Sequence, residues 1–277
     1  MGTVLLAALT GFGVRRRRRS KQIREPFPPE WRALLERSLP LYQRMPGDLR
    51  SRLEPHVREF LLDVDFIGCR GLVVTDEMRL VIATQACLLI VGSQAGKFRS
   101  LYSVLLYPDE FVVEEKDEDD AGVVTEGTRT LSGQTFETAR IVLSWRDVQE
   151  GGQEDEAYNV VLHEFAHYLD HSVGGVLTKP SSRHRALEHW HEVLNREYQA
   201  LCDAVDAGEP TLIDPYGAEH LEEFFAVATE TFFEQPHELQ RLHSPLYAEL
   251  SRFYGLDPAS WPVPPLKPLK PGRPPAG

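Results

Sequence analysis

The sequence of 277 residues contains little cysteine, and this scarcity excludes two classes of protein. Cys69, Cys87 and Cys202 lie far apart, and no C-x-x-C pair occurs. A disulfide framework needs an even set of cysteines, and a structural zinc knuckle needs closely paired ones. The fold must therefore be held by a hydrophobic core, and the cysteine usage favours a reducing compartment such as the cytoplasm.

The sequence also lacks an apolar run of the roughly 20 residues that a membrane-spanning helix needs. About a dozen mostly apolar residues precede the basic cluster Arg15 to Arg19, whereas a secretory signal has the opposite order. We expect residues 1–28 to form a basic, disordered arm. The alternative is a weak association of residues 3–24 with the inner face of the membrane, which would make a cytoplasmic protein peripheral to it.

The charge is unevenly distributed along the chain. The formal net charge is −12 at pH 7; residues 1–28 carry +6 and residues 262–277 carry +3, which leaves −21 for residues 29–261. Such an acidic body argues against direct nucleic-acid binding, because a nucleic-acid groove has to neutralise phosphates. The proline-rich residues 262–277 are expected to be a disordered tail, so that residues 29–261 form a single domain.

Hydropathy patterning predicts a helical body with a few strands. Helical spacing over residues 30–66 is interrupted at Pro40, Pro46 and Gly47, which predicts at least two helices. The acidic run at 116–120 is expected to be a solvated loop. Further helices are predicted at residues 78–91, 156–171, 184–206 and 218–234, and strands at 103–108 and 139–145.

The segment VLHEFAH contains the pattern H-E-x-x-H. On a helix, His163 and His167 lie one turn apart on the same face, so both imidazoles can reach one ion. Zinc suits imidazole nitrogen, and a catalytic zinc site takes three protein ligands and keeps one position open. Glu164 lies beside the first histidine and can act as general base on a water that the metal activates. Two core histidines with a chance glutamate are the alternative.

The third protein ligand has three candidates. His171 continues the histidine face of the helix, but its surroundings do not fit the metzincin spacing, which favours a surface residue. Glu188 lies 21 residues after His167, which is close to the spacing of the third ligand in thermolysin-type sites, but its predicted helix is highly polar. Glu223 lies on a largely apolar helix and shares a face with Glu230, seven residues later. Buried carboxylates on such a helix need a partner to bind, although carboxylates on its wet side remain an alternative.

Two segments, VLHEFAHYLD and DPYGAEHLEEFFAVATETFF, resemble the Mlc titration factor A family of zinc peptidases, relatives in fold of the catalytic domain of anthrax lethal factor. The resemblance also covers residues 105–113 and 139–149, and it extends from about residue 30 to residue 258. It implies an α+β, zincin-like fold with a small mixed sheet, an H-E-x-x-H helix and a mostly helical remainder. The implied activity is a zinc-dependent peptidase of aminopeptidase type, with one zinc ion per chain and a peptide or protein as substrate.

The resemblance also assigns the site residues. In the family the zinc ligands are the two motif histidines and the glutamate that opens the E-x-F-A-V run, here His163, His167 and Glu223. The family has a tyrosine seven residues before that glutamate, and Tyr216 stands there. A phenol beside the metal can stabilise the negative oxygen that forms when water attacks a peptide carbonyl. A tyrosine that only packs is the alternative.

Outer residues of the site are predicted less directly. Asp170 and Glu230 are candidates for carboxylates that orient the ligand histidines by accepting their second N–H groups. Surface or helix-terminal carboxylates are the alternative for both. In zincin folds the substrate pairs in extended form with an edge strand beside the metal helix. We therefore expect Val142 to Trp145 to line the cleft, with a plain internal strand as the alternative.

Two other functions compete with the peptidase. The founding member of the family binds the transcriptional repressor Mlc, which controls glucose-uptake genes. A weakly catalytic or non-catalytic protein that binds a Mlc-like repressor is therefore the second hypothesis, and the peptidase could also act on or respond to such a repressor. Peptide deformylase shares H-E-x-x-H, but it takes an upstream cysteine ligand, and Cys69 and Cys87 lack the required surrounding motif.

Overall fold

A computed structural model gives the fold. It describes residues 23, 25–92, 98, 100–109, 111–118, 124–131, 133–136, 140–152, 157–172 and 188–262, with the backbone alone for the strands between residues 111 and 136. Most of the predicted arm, most of the loop after the H-E-x-x-H helix and nearly all of the tail lie outside these residues. The division into arm, domain and tail therefore stays a prediction, although Phe27, near the end of the arm, is buried against Trp31.

The first helices follow the proline breaks in the sequence. They are α1 (Pro29–Ser38), α2 (Pro40–Arg44), α3 (Gly47–Asp63) and α4 (Asp76–Val91). Helices α1 and α2 both begin at proline, whose fixed φ suits a first turn and which has no N–H to leave unsatisfied. Residues 30–66 thus hold three helices, one more than the predicted minimum.

Six strands form two separate sheets in the described residues: β1 (Asp65–Gly68), β2 (Ser103–Tyr107), β3 (Phe111–Glu118), β4 (Val124–Leu131), β5 (Gly133–Phe136) and β6 (Arg140–Ser144). The larger sheet has the order β1-β2-β6-β5. Its first three strands are parallel, and β5 is antiparallel to β6. Strands β3 and β4 form an antiparallel ribbon. The small mixed sheet agrees with the predicted class.

Two sequence predictions about this region were wrong. Residues 116–118 of the acidic run continue strand β3 instead of forming a loop, since charged side chains are compatible with a two-stranded ribbon. Strand β6 lies between β2 and β5, so it is an internal strand and Val142 cannot belong to a free edge. The edge beside β6 is β5, and Trp145 already begins the next helix.

The second half of the chain is helical. It contains α5 (Trp145–Glu150), α6 (Val160–Ser172), α7 (Glu188–Asp206), α8 (Leu221–Glu234), α9 (Pro236–Leu242) and α10 (Ser244–Tyr254), with 3₁₀ turns at Pro215–Ala218 and Pro258–Ser260. The predicted helices are present, but α6 and α8 begin a few residues later than predicted, and residues 184–187 of the predicted helix 184–206 lie outside the described residues. Within the described part of the chain, no helix combines the length and apolar content that crossing a bilayer requires.

The core is organised around helices α4, α6 and α8. Helix α4 is buried nearly all round, as its apolar sequence predicts. Helix α6 packs against α4 on one side and α8 on the other. The ring of Phe165 on α6 lies 5.8 Å from Phe60 and 5.1 Å from Phe98, centroid to centroid. Aromatic contacts thus fix α6, the helix that carries the H-E-x-x-H motif, against α3.

Two glycines allow the end of α4 to approach the end of α10. Gly255 follows α10 with φ +62°, in the left-handed region. A β-carbon at Gly255 would lie 2.1 Å from the carbonyl oxygen of Gly92. The two helix ends can therefore meet only because neither residue carries a side chain.

The substitution Gly255→Ala is expected to destabilise the protein more than Gly208→Ala. Gly208 also has a positive φ, +68°, but a β-carbon there would meet nothing within 4 Å. In both variants, an alanine held in the left-handed backbone region lowers the free energy of unfolding by about 1 kcal/mol. Only Gly255→Ala adds a clash with the backbone, which costs about 1–3 kcal/mol more. Urea denaturation of both variants measures the difference. Equal losses would show that the Gly92 contact is unimportant.

Candidate metal centre

Asn159 determines where helix α6 begins. Its side-chain oxygen accepts a hydrogen bond from the backbone N–H of Leu162 at 3.1 Å, and its carbonyl accepts one from His163 at 3.0 Å. Asparagine is among the strongest helix N-caps because its side chain replaces a missing backbone partner. The cap places His163 in the first turn of α6 and His167 in the second, both facing α8.

Helix α8 brings Glu223 to the two histidines. Glu223 Oε2 lies 3.0 Å from His163 Nε2 and 3.3 Å from His167 Nε2, and the two Nε2 atoms are 3.1 Å apart. All three predicted ligands are therefore brought together, across 56 residues of sequence. The other two candidates, His171 and Glu188, are exposed. Among the described residues, neither belongs to the group of side chains that could hold a metal ion.

The three donor atoms fit a zinc ion. Tetrahedral zinc with bonds of about 2.0–2.1 Å needs donor atoms about 3.3 Å apart, and the observed separations are 3.0, 3.1 and 3.3 Å. Two imidazole nitrogens and one carboxylate oxygen form a donor set of catalytic zinc sites, which leave one position open. His163, His167 and Glu223 could hold the ion through these atoms.

Glu230 lies behind His163. Its Oε1 atom is 2.8 Å from His163 Nδ1, and the carboxylate is buried, with 3% of the residue exposed. A hydrogen bond from Nδ1–H to this oxygen leaves the lone pair of Nε2 directed at the ligand group. The second oxygen of Glu230 accepts a hydrogen bond from the backbone N–H of Asn159. The predicted partner of a ligand histidine is thus in contact with one.

These contacts change the pKa values of the centre. Burial favours a neutral imidazole, but the hydrogen bonds to Glu223 and Glu230 outweigh it and raise the pKa of His163 well above its ordinary value. Burial also opposes the charge of Glu223, yet its bonds with His163 and His167 lower the pKa of that carboxyl. Burial raises the pKa of Glu230. The pair of His163 and Glu230 therefore holds a proton at neutral pH when no metal competes for it.

Glu164 and Tyr216 flank the centre. Glu164 is buried on α6, with 5% of the residue exposed. The ring of Tyr216 lies 6.1 Å from that of His163, centroid to centroid, and is tilted by 35°. Tyr216 is 38% exposed, so its ring borders both the centre and the solvent. The structure thus places the predicted tyrosine beside the first motif histidine.

The position of Tyr216 is set by the 3₁₀ turn that carries it. Asp214 Oδ1 accepts a hydrogen bond from the backbone N–H of Tyr216 at 2.8 Å and so caps the turn. A β-carbon on Gly217 would lie 2.6 Å from Val227 Cγ2 and 3.3 Å from the Cα of Phe224. The turn therefore sits directly on α8, which fixes Tyr216 relative to Glu223. The role of Gly217 could not be predicted from the sequence, because the close approach exists only in the folded chain.

Asp170 is buried on α6. Its predicted role in orienting a ligand histidine stays a prediction. Asn159 and Glu234 were missed, although each has a sequence signal. An asparagine directly before an apolar helix is a capping signal. Glu234 follows Glu230 by four residues and therefore lies on the same face of the helix.

Comparison with known proteins adds to this geometry. A profile of the family described as glucose-regulated metallo-peptidase M90 matches residues 14–255. An uncharacterised protein of Synechocystis sp. is 39% identical over 244 residues, which cover 87% of this chain and 89% of that protein. Proteins named Mlc titration factor A from Pectobacterium atrosepticum and Serratia proteamaculans are 32% and 33% identical. These alignments cover 82% and 83% of this chain, and 86% and 87% of the two proteins.

Zinc affinity is expected to fall as the pH is lowered. The raised pKa of His163 means that the metal-free protein holds a proton which an ion must displace. The logarithm of the association constant should therefore rise by about one per pH unit for each displaced proton, until the pH passes the pKa of His163. Competition with a chelator of known proton affinity between about pH 6 and pH 9 measures this slope.

The matched control is Glu230→Gln. An amide oxygen can still accept the Nδ1–H of His163, but the amide carries no charge to raise the pKa of the ring, and its nitrogen cannot accept the backbone N–H of Asn159. The pH at which the zinc affinity stops rising should therefore be lower in this variant than in the wild-type protein. An affinity for zinc that does not depend on pH in the wild-type protein would contradict the predicted protonation.

Proposed function

Because the chain belongs to the glucose-regulated metallopeptidase family M90, the family of the proteins named Mlc titration factor A, we propose that it is a zinc-dependent peptidase with a zincin-like fold. The observation that carries the proposal is the convergence of three donor atoms from His163, His167 and Glu223 within 4.8 Å of one another. The mixed sheet, and strand β5 packed beside the motif helix, support the zincin-like fold.

Each residue of the centre has a role in peptide hydrolysis. A zinc ion held by His163, His167 and Glu223 would polarise the scissile carbonyl and lower the pKa of a water. Glu164 removes the proton of the attacking water and delivers it to the leaving amine. Its burial keeps the carboxylate out of bulk solvent.

Tyr216 stabilises the oxygen that becomes negative during attack. The phenol donates a hydrogen bond to this oxygen, and the anchored 3₁₀ turn holds the donor in place before the substrate arrives. Glu230 orients His163 by accepting the proton on Nδ1, and we assign Asp170 the same kind of supporting role on α6. Orienting carboxylates of this kind keep the ligand nitrogens directed at the metal.

The substrate is proposed to be a peptide bound in extended form. Strand β5 is the edge of the larger sheet beside β6, and it packs next to α6. An extended peptide could add to this edge through backbone hydrogen bonds and so reach the centre. Asp214 and Glu219, two residues before and three residues after Tyr216, are exposed carboxylates that would favour a free amino group at the substrate's end. This supports an aminopeptidase-like activity.

The proposed location is the cytoplasm. The location rests on the three widely spaced cysteines Cys69, Cys87 and Cys202, which are free thiols and are compatible with a reducing compartment. Association of residues 3–24 with the inner face of the membrane, through the basic cluster and anionic headgroups, remains part of this proposal.

The substitution Glu164→Gln is expected to lower turnover strongly without removing zinc. The amide keeps the size of the side chain but cannot accept the proton, so turnover should fall by about 10²–10⁴-fold. Hydrolysis of peptide p-nitroanilides measures the rate, and elemental analysis measures the zinc content. Glu223→Ala is the control and should lose zinc. Turnover retained by Glu164→Gln would refute the role of Glu164, and full zinc content in Glu223→Ala would remove the third ligand.

Binding of a Mlc-like repressor is the second candidate function, because the relatives from Pectobacterium and Serratia are named for titration of Mlc. Such binding should not need proton transfer by Glu164. If this function is correct, a purified repressor of the Mlc type will bind wild-type protein and Glu164→Gln equally in a pull-down. No binding to either protein, together with peptide hydrolysis by the wild type alone, would leave the peptidase as the function.

A further inference from the structure

A buried series of polar side chains extends from His163 away from the ligand group. His163 Nδ1 lies 2.8 Å from Glu230 Oε1, and Asn159 donates its backbone N–H to Glu230 Oε2. Both oxygens of the Glu230 carboxylate are thus engaged. The direction of the carboxylate, and with it the ring of His163, therefore depends on the position of Asn159.

The side chain of Asn159 is held in turn by three different elements. Its Nδ2 atom donates to Gln85 Oε1 on α4 and to Glu234 Oε1 on α8, both at 2.7 Å. Its Oδ1 atom accepts from the backbone of Leu162 on α6 at 3.1 Å. A primary amide has two N–H groups and one oxygen, so every polar group of this side chain has a partner. Asn159 is 3% exposed, so bulk solvent has little access to these bonds.

Glu234 connects Asn159 to the N-terminal part of the fold. Its Oε2 atom lies 2.6 Å from Arg44 Nη2, at the end of the short helix α2. The same guanidinium donates to the carbonyl oxygens of Phe233 at 3.0 Å and Glu234 at 3.1 Å, at the end of α8. Arg44 therefore neutralises a buried carboxylate and satisfies two carbonyls that the helix leaves without partners.

We propose that Asn159, Glu234 and Arg44 are positioning residues of the metal centre, which hold Glu230 and through it the orientation and tautomer of His163. Helix α2 thereby contributes to metal affinity although none of its residues reaches the ligands. This inference rests on the proposed zinc site of His163, His167 and Glu223. Residues that support ligand histidines at this distance act on affinity because a misdirected lone pair weakens the metal bond.

Asn159 also caps helix α6, so a purely structural role must be separated from positioning. Serine is about as good an N-cap as asparagine, because its hydroxyl can accept the N–H of Leu162. It cannot reach or donate to Gln85 and Glu234 as the amide does. Asn159→Ser therefore removes the connection to Glu234 and keeps the cap, whereas Asn159→Ala removes both.

The first experiment compares Asn159→Ser with Asn159→Ala. Zinc affinity, measured by competition with a chromophoric chelator, is expected to fall by about 10–100-fold in both variants. The melting temperature of the metal-free protein should fall further in Asn159→Ala than in Asn159→Ser, because only the alanine variant loses the cap. Wild-type zinc affinity in Asn159→Ser would overturn the proposal.

The second experiment tests Arg44 through rescue. Arg44→Met leaves the Glu234 carboxylate buried and unpaired, and zinc affinity is expected to fall by about 10-fold. Adding Glu234→Gln removes the charge and keeps an amide oxygen that accepts from Asn159, so affinity should return towards wild type. Arg32→Met is the matched control, because it breaks the remote ion pair of Arg32 with Glu54, 2.6 Å long, without reaching the centre. A lower melting temperature with unchanged zinc affinity in Arg44→Met would overturn the proposal.

Wild-type protein and His163→Ala, measured alongside, separate this inference from the proposed function. If the wild type binds no zinc, or His163→Ala binds it equally well, the zinc site itself is refuted. If zinc binding depends on His163 but is unchanged in Asn159→Ser and in Arg44→Met, the zinc site stands and only the positioning role fails.

Discussion

The whole centre depends on the packing of helix α6 against helix α8. Phe165 and Ala166 on α6, and Phe224 and Phe225 on α8, are fully buried, and burial of such apolar surface is the main source of their attraction. The two helices differ in what they carry at this contact: α6 supplies imidazoles and α8 supplies carboxylates. Neither helix could satisfy its polar residues alone, since a buried carboxylate without a partner is costly. The pairing of opposite groups is what makes the contact both stable and chemically useful.

Helix α8 shows how several carboxylates can be tolerated in a core. Glu223, Glu230 and Glu234 follow one face of the helix, and each contacts a different kind of partner. Glu223 meets two imidazoles, Glu230 meets one imidazole and a backbone N–H, and Glu234 meets an amide and a guanidinium. Charge on the helix is thus distributed between the ligand group at one end and an ion pair at the other. Removing a charged partner of one of these carboxylates would leave that carboxylate buried without full compensation of its charge.

Local patterns were sufficient to predict part of this arrangement. The spacing of His163 and His167 predicts a shared helix face, and the apolar run around Glu223 predicts a buried helix. The choice of Glu223 over His171 and Glu188 as the third ligand also needed the resemblance to a family, because no local rule relates residues 56 positions apart. The order of the sheet could not be predicted, since β6 pairs with β2 and β5 through contacts that alternation along one strand does not specify. Arg44 was missed for the same reason: its partner lies 190 residues away.

The separation of the ligands along the chain has a consequence for synthesis on the ribosome. His163 and His167 emerge together, but Glu223 and Glu234 follow only after the long helix α7 has been made. A nascent chain that ends before α8 therefore presents the two ligand imidazoles without Glu223, one protein ligand fewer than a catalytic zinc site takes. Helix α2 has by then been made, yet Arg44 must wait for Glu234 before its charge is paired. Completion of the centre thus coincides with docking of α8, and the proposed hydrolytic activity would appear only when nearly the entire domain exists.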